Sequence, residues 1–489
     1  MRITRFMPRA TGLALPVLLA PAVASAQFLE PVDVVATLIG DQPGANYGWA
    51  LADIGDLNGD GAPDLISGEN LYFVSPDDAF PSGRVTVLSG ATGGVLYEFV
   101  PENGGRLGYA ISSAGDVDGD GTEDILGGAP YRLGMPGGVA TVLFGAADVY
   151  SGATGELLLT IEPPVTLGTF FGAAVASAGD LDHDGLSDIL VGAPDAAFFV
   201  GEDKAYIFSG ADGSLLRTYA PDVPNEAFGW AAANAGDIDG DGADDHLIGA
   251  PFAFKVYLFS GATGDLLHVF EGPPDSGAYG QFFTDGLKDL NADGVRDIFV
   301  GDYAYQPDPM TFLGPGAGYI YSGADFSLIR QIVGPTPTSG LGPGRNAGDV
   351  DDDGREDLII GHYTSSEGAP NAGKVTVYSG ADGSELVNFT YTVENAQMGF
   401  DAVGIGDVTG DGGPDFALSA ASGDTVIIAA GPTPPCIADA DRDGARTFAD
   451  LHTFLDLWFA WDPAADIDNS GEIDLRDFFL FFRAWIRGC

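Results

Sequence analysis

Basic residues are scarce in this chain. Only 20 Lys and Arg stand against 71 Asp and Glu in 489 residues, so the formal charge is −51. A surface this negative repels nucleic acid and anionic membranes, and neither is expected as a partner. Strongly acidic chains are often disordered, but 45% hydrophobic and 11% aromatic residues argue against disorder here. We therefore expect a folded protein whose acidic groups are partly neutralised by cations.

Long apolar runs are also missing. After residue 26 no segment is long and apolar enough to cross a bilayer. The first 26 residues have a basic start, a short apolar run and the small residues Ala24-Ser25-Ala26, as in a secretory signal cleaved before Gln27. An N-terminal anchor helix is the alternative, but Pro16 and Pro21 interrupt that short run. The sequence predicts a signal peptide over residues 1–26 and a secreted or cell-surface protein without membrane insertion.

Cysteine and histidine are too few to suggest a reactive centre. The only cysteines, Cys436 and Cys489, bracket the last segment, where an exported protein is expected to form a disulfide; two free thiols are the alternative. The five histidines are scattered and show no metal-ligand spacing. We therefore predict a protein that is not an enzyme. The alternative is an extracellular polysaccharide lyase or hydrolase that uses one face of the fold.

An acidic pattern recurs seven times along the chain. It reads Asp, any residue, Asp or Asn (Thr in the last copy), any residue, Asp, Gly, two residues and Asp. The copies are separated by 52 to 64 residues, which is enough for a four-stranded unit. They begin at Asp56, Asp116, Asp180, Asp237, Asp289, Asp349 and Asp407.

The segments around each acidic pattern repeat as well. A large apolar residue followed by Gly stands about eight residues upstream, as at Phe171-Gly172, and a short apolar run follows downstream. Three of these runs end in Gly-Ala-Pro, and an alternating strand and a Ser-Gly turn come next. Glycine-rich turns between apolar runs are hairpin signals, so each repeat reads as four antiparallel strands.

The ends of the repeat array predict a closed ring. The seventh repeat lacks a fourth strand after Thr425–Ala429, and the unpaired strand Val34–Ile39 precedes the first repeat. Pairing these two would remove the exposed edges. We predict an all-β, seven-bladed β-propeller of four-stranded antiparallel blades over residues 27–431.

The paired Phe-Gly and Gly-Ala-Pro elements around an acidic loop resemble the FG-GAP repeats of the integrin α-subunit propeller. The resemblance covers residues 34 to about 430. It implies calcium in the loops and a role in extracellular binding or cell adhesion.

Closely spaced carboxylates on a turning loop are the oxygen ligands that calcium prefers, and Gly permits the sharp bend. Solvated acidic turns are the alternative reading, but seven in register would leave crowded charges repelling one another. The predicted ligands are Asp56, Asn58, Asp60 and Asp64; Asp116, Asp118, Asp120 and Asp124; Asp180, Asp182, Asp184 and Asp188; Asp237, Asp239, Asp241 and Asp245; Asp289, Asn291, Asp293 and Asp297; Asp349, Asp351, Asp353 and Asp357; and Asp407, Thr409, Asp411 and Asp415.

The pattern becomes helical after a Pro-rich linker at residues 432–435. Two twelve-residue acidic loops follow, each with Gly at position six and Asp at position twelve, and each leads into an apolar helix, Leu451–Trp461 and Phe478–Trp485. The predicted calcium ligands are Asp439, Asp441, Asp443 and Asp450, then Asp466, Asp468, Ser470 and Asp477.

Asp in place of Glu at the twelfth position makes residues 436–489 resemble a dockerin, a small α-helical module with paired EF-hand-like loops. The resemblance implies a cohesin-like or envelope partner. A stabilising cap on the repeat array is the alternative.

Aromatic residues in the loops between the second and third strands are candidates for contacting a protein or glycan ligand, since rings offer large contact area. The alternative is that they pack between blades. They are Tyr72, Phe73, Tyr131, Phe198, Phe199, Phe252, Phe254, Tyr303, Tyr305 and Tyr363.

Overall fold

The computed structural model describes residues 27–75, 78, 80–101, 104–134, 142–143, 145–164, 169–195, 203–307, 314–432, 440, 447–462, 465 and 473–487. The predicted signal peptide, both cysteines, and Phe198 and Phe199 lie outside the described residues.

Seven four-stranded antiparallel sheets, the blades, follow one another along the chain. The first strand of each blade, which lies beside the first strands of its neighbours, spans Ala50–Ile54, Ala110–Gly115, Ala174–Gly179, Ala231–Gly236, Thr284–Gly286, Leu341–Gly348 and Met398–Gly404. The second strands are Asp64–Glu69, Asp124–Gly128, Asp188–Ala193, Asp245–Ala250, Ile298–Asp302, Asp357–His362 and Phe416–Ala420.

The two outer positions of each sheet complete the blades. The third strands are Arg84–Leu88, Ala147–Tyr150, Lys204–Phe208, Lys255–Phe259, Ala317–Tyr321, Lys374–Tyr378 and Thr425–Ala429. The fourth strands are Val95–Phe99, Leu157–Ile161, Leu215–Tyr219, Leu266–Glu271, Leu328–Val333, Glu385–Thr390 and, in blade 7, Val34–Ile39. A short hairpin, Leu133–Gly134 with Val142–Leu143, and a 3-10 turn at Ala421–Gly423 lie outside this scheme.

The hydrophobic core is divided into layers between neighbouring blades. Every residue of the second strand Asp188–Ala193 is buried, because a blade packs on each face of it, and such strands read as continuous apolar runs. The fourth strand Leu215–Tyr219 is mostly exposed. One layer joins Leu126 and Val149 of blade 2 to Val191 of blade 3, and similar layers occur around the ring.

Glycine pairs set the distance between blades. A Cβ atom on Gly192 in blade 3 would lie 2.1 Å from the carbonyl oxygen of Gly229, so no other residue fits at that position. Five other second strands place a glycine in the same contact with the next blade: Gly68, Gly128, Gly249, Gly301 and Gly361. In blade 7 the position is Ser419, and its hydroxyl donates a hydrogen bond to the Gly48 carbonyl of blade 1.

The predicted ring closure is confirmed. Val34–Ile39 pairs antiparallel with Thr425–Ala429, with Val34 opposite Ala429 and Ile39 opposite Thr425. The first strand of blade 7 lies beside that of blade 1, and Leu51 N–H donates to Asp401 at 2.9 Å across this seam. The seven-bladed propeller predicted from the repeats is therefore the observed fold.

Two helices, Phe448–Ala460 and Leu475–Arg487, follow the propeller. Both predicted helices are present, and each begins three residues earlier than expected. Phe454 and Phe481 are buried between them with ring centroids 4.0 Å apart. Within the described residues, no helix is long and apolar enough to cross a membrane.

The strand Val34–Ile39, which closes the ring between blades 7 and 1, allows a direct test of ring closure. Leu38 is 4% exposed and packs in the layer between blades 7 and 1, whereas the adjacent Ile39 is 73% exposed. We expect Leu38→Ala to lower the free energy of unfolding by about 2–4 kcal/mol, because it leaves a cavity at the seam. Ile39→Ala is the control and should change it by less than about 0.5 kcal/mol. Urea unfolding measures both, and equal losses would contradict a packed seam.

Candidate functional site

The seven acidic loops lie at one end of the ring. Each joins the first strand of its blade to the second, and the first strands of all blades run in the same direction. We call them loops 1 to 7, by blade.

The first aspartate of each loop organises the turn. Asp56 of loop 1 accepts backbone hydrogen bonds from Gly59 at 2.7 Å, Asp60 at 3.1 Å and Gly61 at 2.7 Å. In all seven loops the glycine five residues after the first aspartate donates to it at 2.7–3.0 Å. Those glycines have φ between 85° and 94°, which explains why Gly recurs there.

The last aspartate of each loop joins two parts of its blade. In blade 4, Asp245 accepts from Ile238 N–H within the loop and from Gly261 N–H in the turn after the third strand, both at 2.8 Å. The same two bonds occur in all blades, at 2.7–3.4 Å. These aspartates are 0% exposed: Asp64, Asp124, Asp188, Asp245, Asp297, Asp357 and Asp415.

Burial makes a negative charge costly at these positions. It raises the pKa of five of the last aspartates to about 6, namely Asp124, Asp188, Asp245, Asp297 and Asp357. Burial also raises the pKa of Asp64 and Asp415. A cation beside these carboxylates would favour their charged form.

Five loops bring three carboxylates close enough to share one cation. Their ligand atoms lie within 4.8 Å of one another in Asp116, Asp118 and Asp124; Asp180, Asp182 and Asp188; Asp237, Asp239 and Asp245; Asp289, Asp293 and Asp297; and Asp349, Asp351 and Asp353. Hard oxygens at this spacing fit a divalent cation such as calcium. Among the described residues, loops 1 and 7 bring together no such group.

Loops 1 and 7 carry one carboxylate fewer than most others. In loop 1 the predicted ligand Asn58 donates its side-chain N–H to Asp64 at 3.3 Å. In loop 7 the Thr409 hydroxyl lies 3.5 Å from Asp407. Loop 5 also has an Asn, but its three remaining carboxylates still converge.

The sequence did not link the Ser-Gly turns to the acidic loops. Ser89, Ser260 and Ser322 donate hydroxyl hydrogen bonds to the third acidic position of their loops, at 3.2, 3.1 and 2.7 Å. From the sequence alone, this turn indicates only a hairpin. A Ser-Gly turn follows the third strand in six of the seven repeats, and that recurrence was the available signal.

In the helical tail, only the last predicted ligand of each acidic loop is described. Asp450 accepts from Thr447 N–H at 2.6 Å, and Asp477 accepts from Asp474 N–H at 2.7 Å, each at the start of a helix. Both aspartates are 0% exposed. The other predicted ligands, Asp439, Asp441, Asp443, Asp466, Asp468 and Ser470, lie outside the described residues.

A closed circle of aromatic rings lies at the opposite end of the ring from the acidic loops. Nine half-buried side chains form it, and neighbouring ring centroids are 4.6–6.4 Å apart. We call this the aromatic annulus: Trp49, Tyr109, Tyr131, Phe170, Trp230, Phe282, Tyr303, Tyr363 and Phe400.

Three of the predicted aromatics, Tyr131, Tyr303 and Tyr363, belong to the annulus, and six members were missed. Four of the missed residues directly follow the Gly of the upstream apolar-Gly pair: Trp49, Tyr109, Trp230 and Phe400. That recurrence was visible in the sequence.

The other described candidates lie outside the annulus. Phe252 and Phe254 are 54% and 38% exposed, and Phe252 lies 6.4 Å from Trp230 of the annulus. Tyr72 packs under the Arg84 guanidinium, and Tyr305 packs on Tyr319, as the packing alternative expected. Phe73 is half-buried.

A cavity of about 390 Å³ opens inside the annulus along the axis. Arg345 lines it and pairs with Asp401 through two contacts of 3.1 and 3.2 Å. Asp285 lines it too, and burial raises the pKa of this carboxyl to about 6. The mouth thus combines apolar ring faces with charged groups beneath them, a composition typical of ligand sites.

Residues 171–208 and 228–266 match the FG-GAP repeat. The chain carries FG-GAP repeats. It is 30% identical over 218 residues to integrin alpha-V of Gallus gallus, covering 42% of this chain and 20% of that protein. It is also 30% identical to integrin alpha-4 of Xenopus laevis (216 residues, 41% and 20%) and to integrin alpha-7 of Homo sapiens (255 residues, 49% and 20%). The chain spans about a fifth of the length of these relatives.

The matched FG-GAP segments start at Phe171 and Phe228 and include an acidic loop; one ends with the third strand of blade 3 and the other at the start of the fourth strand of blade 4. The resemblance to integrin α-subunit propellers is therefore confirmed. The resemblance of the tail to a dockerin stays a prediction.

Two of the histidines are buried, His246 in blade 4 and His362 in blade 6. His246 bonds the Tyr219 hydroxyl at 3.1 Å, and His362 lies 3.2 Å from the Tyr378 hydroxyl. Burial lowers their pKa values to about 4 and about 3, so both are neutral at pH 7. Among the described residues, no histidine joins a group able to hold a metal.

The last aspartate of loop 6 should stabilise its blade even without a cation. Asp357→Asn replaces an acceptor by an amide NH₂, so either Val350 or Gly380 loses the acceptor for its N–H. We expect a loss of about 1–3 kcal/mol of unfolding free energy in chelator, measured by urea unfolding. Asp382→Asn, at an exposed position in the adjacent turn, is the matched control and should have no effect. Equal losses for the two variants would contradict the assigned role.

Proposed function

We propose that this protein is a secreted, calcium-binding FG-GAP propeller that acts in extracellular binding or adhesion, with the aromatic annulus as its ligand surface. The observation that carries the proposal is the closed annulus itself. Aromatic side chains dominate the energetics of protein interfaces, and here nine half-buried ones form a closed circle, five of which line one cavity.

Calcium is the cation that this proposal assigns to the acidic loops. Three close carboxylates, with backbone and hydroxyl oxygens nearby, suit its large and flexible coordination shell better than the strict octahedron of magnesium. The ion's role is structural: it would neutralise the buried last aspartate and hold the loop that joins the first two strands. Similarity to integrin alpha chains supports the assignment.

The proposal includes the domain layout expected from the sequence. Residues 1–26 are removed as a signal peptide, 27–431 form the propeller, 432–435 are a linker and 436–489 form a calcium-dependent docking or anchoring module. The equivalent positions of Asp450 and Asp477 at the two helix starts support a duplicated loop-helix unit. The Trp485 indole donates to Thr447 and the Trp458 indole donates to Asp474, both at 3.0 Å, which adds to this pseudo-symmetry.

An extracellular protein is the ligand class that we favour, because the annulus has nine aromatic members and the relatives are integrin alpha chains. The mature chain would be tested in calcium against panels of purified extracellular proteins and of glycans. For any ligand that binds, a Trp230→Ala, Tyr303→Ala double variant should raise Kd at least about tenfold, since buried aromatic anchors contribute 2 kcal/mol or more.

The matched control is Leu328→Ala, a 50% exposed residue on an outer strand. It should leave Kd unchanged, and circular dichroism should show that both variants are folded. A glycan as the only ligand would replace the protein assignment. Ligand binding that is unaffected by the double variant would contradict the annulus as the site.

Calcium binding has its own test. We expect calcium to raise the Tm of the mature chain more than magnesium does, because ligands that bind only the folded state stabilise it. Asp237→Ala should remove one binding site in calorimetric titration, whereas Asp265→Ala, an exposed acid in the same blade, should remove none. A calcium stoichiometry that is the same in both variants would contradict loop 4 as a site.

A further inference from the structure

We propose that Asn58 is a site of spontaneous deamidation, and that this reaction supplies loop 1 with the fourth carboxylate present in loops 2 and 4. The effect on the loop rests on the cation binding proposed above, whereas the reaction itself does not. The reaction involves only the Asn58 side chain, the neighbouring peptide nitrogen and water.

Asn58 and Gly59 form one of two Asn-Gly dipeptides in the chain; the other is Asn103-Gly104. Both Asn58 and Gly59 are exposed. A Cβ atom on Gly59 would meet no atom within 4 Å, so there is open space beside this residue. Loop 5 carries Asn291 at the same position, but Ala292 follows it and its methyl group hinders that approach.

The reaction joins the Gly59 nitrogen to the Asn58 side-chain carbonyl carbon. The C–N bond of the side-chain amide breaks, and its nitrogen leaves as ammonia with the proton lost from Gly59. Water then opens the five-membered imide at one of its two carbonyls. One opening gives Asp at position 58, and the other gives isoaspartate, in which the main chain runs through the side-chain carboxyl.

Two hydrogen bonds in loop 1 keep the Gly59 nitrogen away from the Asn58 side-chain carbonyl carbon. Gly59 N–H donates to Asp56 at 2.7 Å, and the Asn58 side-chain oxygen accepts from Asp60 N–H at 2.9 Å. Both bonds have to break before the nitrogen can reach the carbonyl carbon. A cation ligated by Asp56 would hold this arrangement closed. Conversion is therefore slow while loop 1 is occupied and faster when the cation is removed.

Loops 2 and 4 indicate what the aspartate product would look like. Each has Asp-Gly where loop 1 has Asn58-Gly59, and Asp118 and Asp239 accept from the residue two positions on, at 3.1 and 3.0 Å, as Asn58 does. In both loops that aspartate belongs to a group of three converging carboxylates. The aspartate product thus keeps the hydrogen bond accepted from Asp60 N–H, loses the one that the Asn58 amide donates to Asp64, and adds a negative charge. Isoaspartate instead lengthens the main chain and disrupts the turn.

The test is peptide mass spectrometry of the mature protein, incubated at mildly alkaline pH in calcium or in chelator. Deamidation replaces an amide NH₂ by a hydroxyl, and chromatography separates the aspartate and isoaspartate peptides. We expect conversion at Asn58 that is several-fold faster in chelator, and no comparable conversion at Asn291. Conversion of Asn103 shows that the conditions permit the reaction. Asn58 left intact as long as Asn291 while Asn103 converts would overturn the proposal.

Variants separate this proposal from the proposed calcium function. Asn58→Asp copies the aspartate product and should bind calcium at loop 1 several-fold more tightly than wild type, since affinity follows ligand charge. Asn58→Gln keeps an amide and should not. If Asn58 converts at equal rates with and without calcium, and Asn58→Asp leaves calcium binding unchanged, the modification stands and calcium in loop 1 is contradicted.

Discussion

The two backbone hydrogen bonds accepted by the last aspartate of each acidic loop hold every blade together. One ties the aspartate to its own loop between the first and second strands, and the other ties it to the turn after the third strand. Three of the four strands are thereby fixed relative to one another by a single buried carboxylate. Because an unpaired buried charge is costly, the cation proposed for these loops would neutralise the carboxylates, and its binding would then be coupled to folding.

Close contact between glycines then determines how blades become a ring. At Gly192 and its equivalents only a hydrogen atom fits between neighbouring backbones, so blades approach equally around most of the circle. Ser419 at the seam keeps the spacing by a different means, a hydroxyl bonded to the Gly48 carbonyl. Equal spacing brings the first strands around one axis, which places the annulus and the Arg345–Asp401 pair around a common cavity.

The features that recur within each repeat could be predicted from the sequence. The seven loops, the four-strand units and the closing strand could be derived because their signals lie within one repeat or at the ends of the array. The annulus could not be derived in full: most of its neighbouring members belong to different blades, and only ring closure brings the ring centroids of Phe400 and Trp49 to 4.6 Å from each other. The pairing of Arg345 with Asp401 was missed for the same reason, since it joins two blades. Four repeats lack the full Gly-Ala-Pro motif because only its first position has to fit closely against the next blade. In blade 7 that position is occupied by Ser419.

The strand Val34–Ile39 also has a consequence for biosynthesis. It leaves the ribosome before every other strand of the propeller, yet its partner Thr425–Ala429 is among the last to be made. The early strand must remain an unpaired, β-prone edge while the six intervening blades fold, and joining it to the seventh requires closing a loop almost as long as the propeller itself. Ring closure is therefore a late, slow event, and a nascent chain stalled before blade 7 would expose an edge able to pair with another copy.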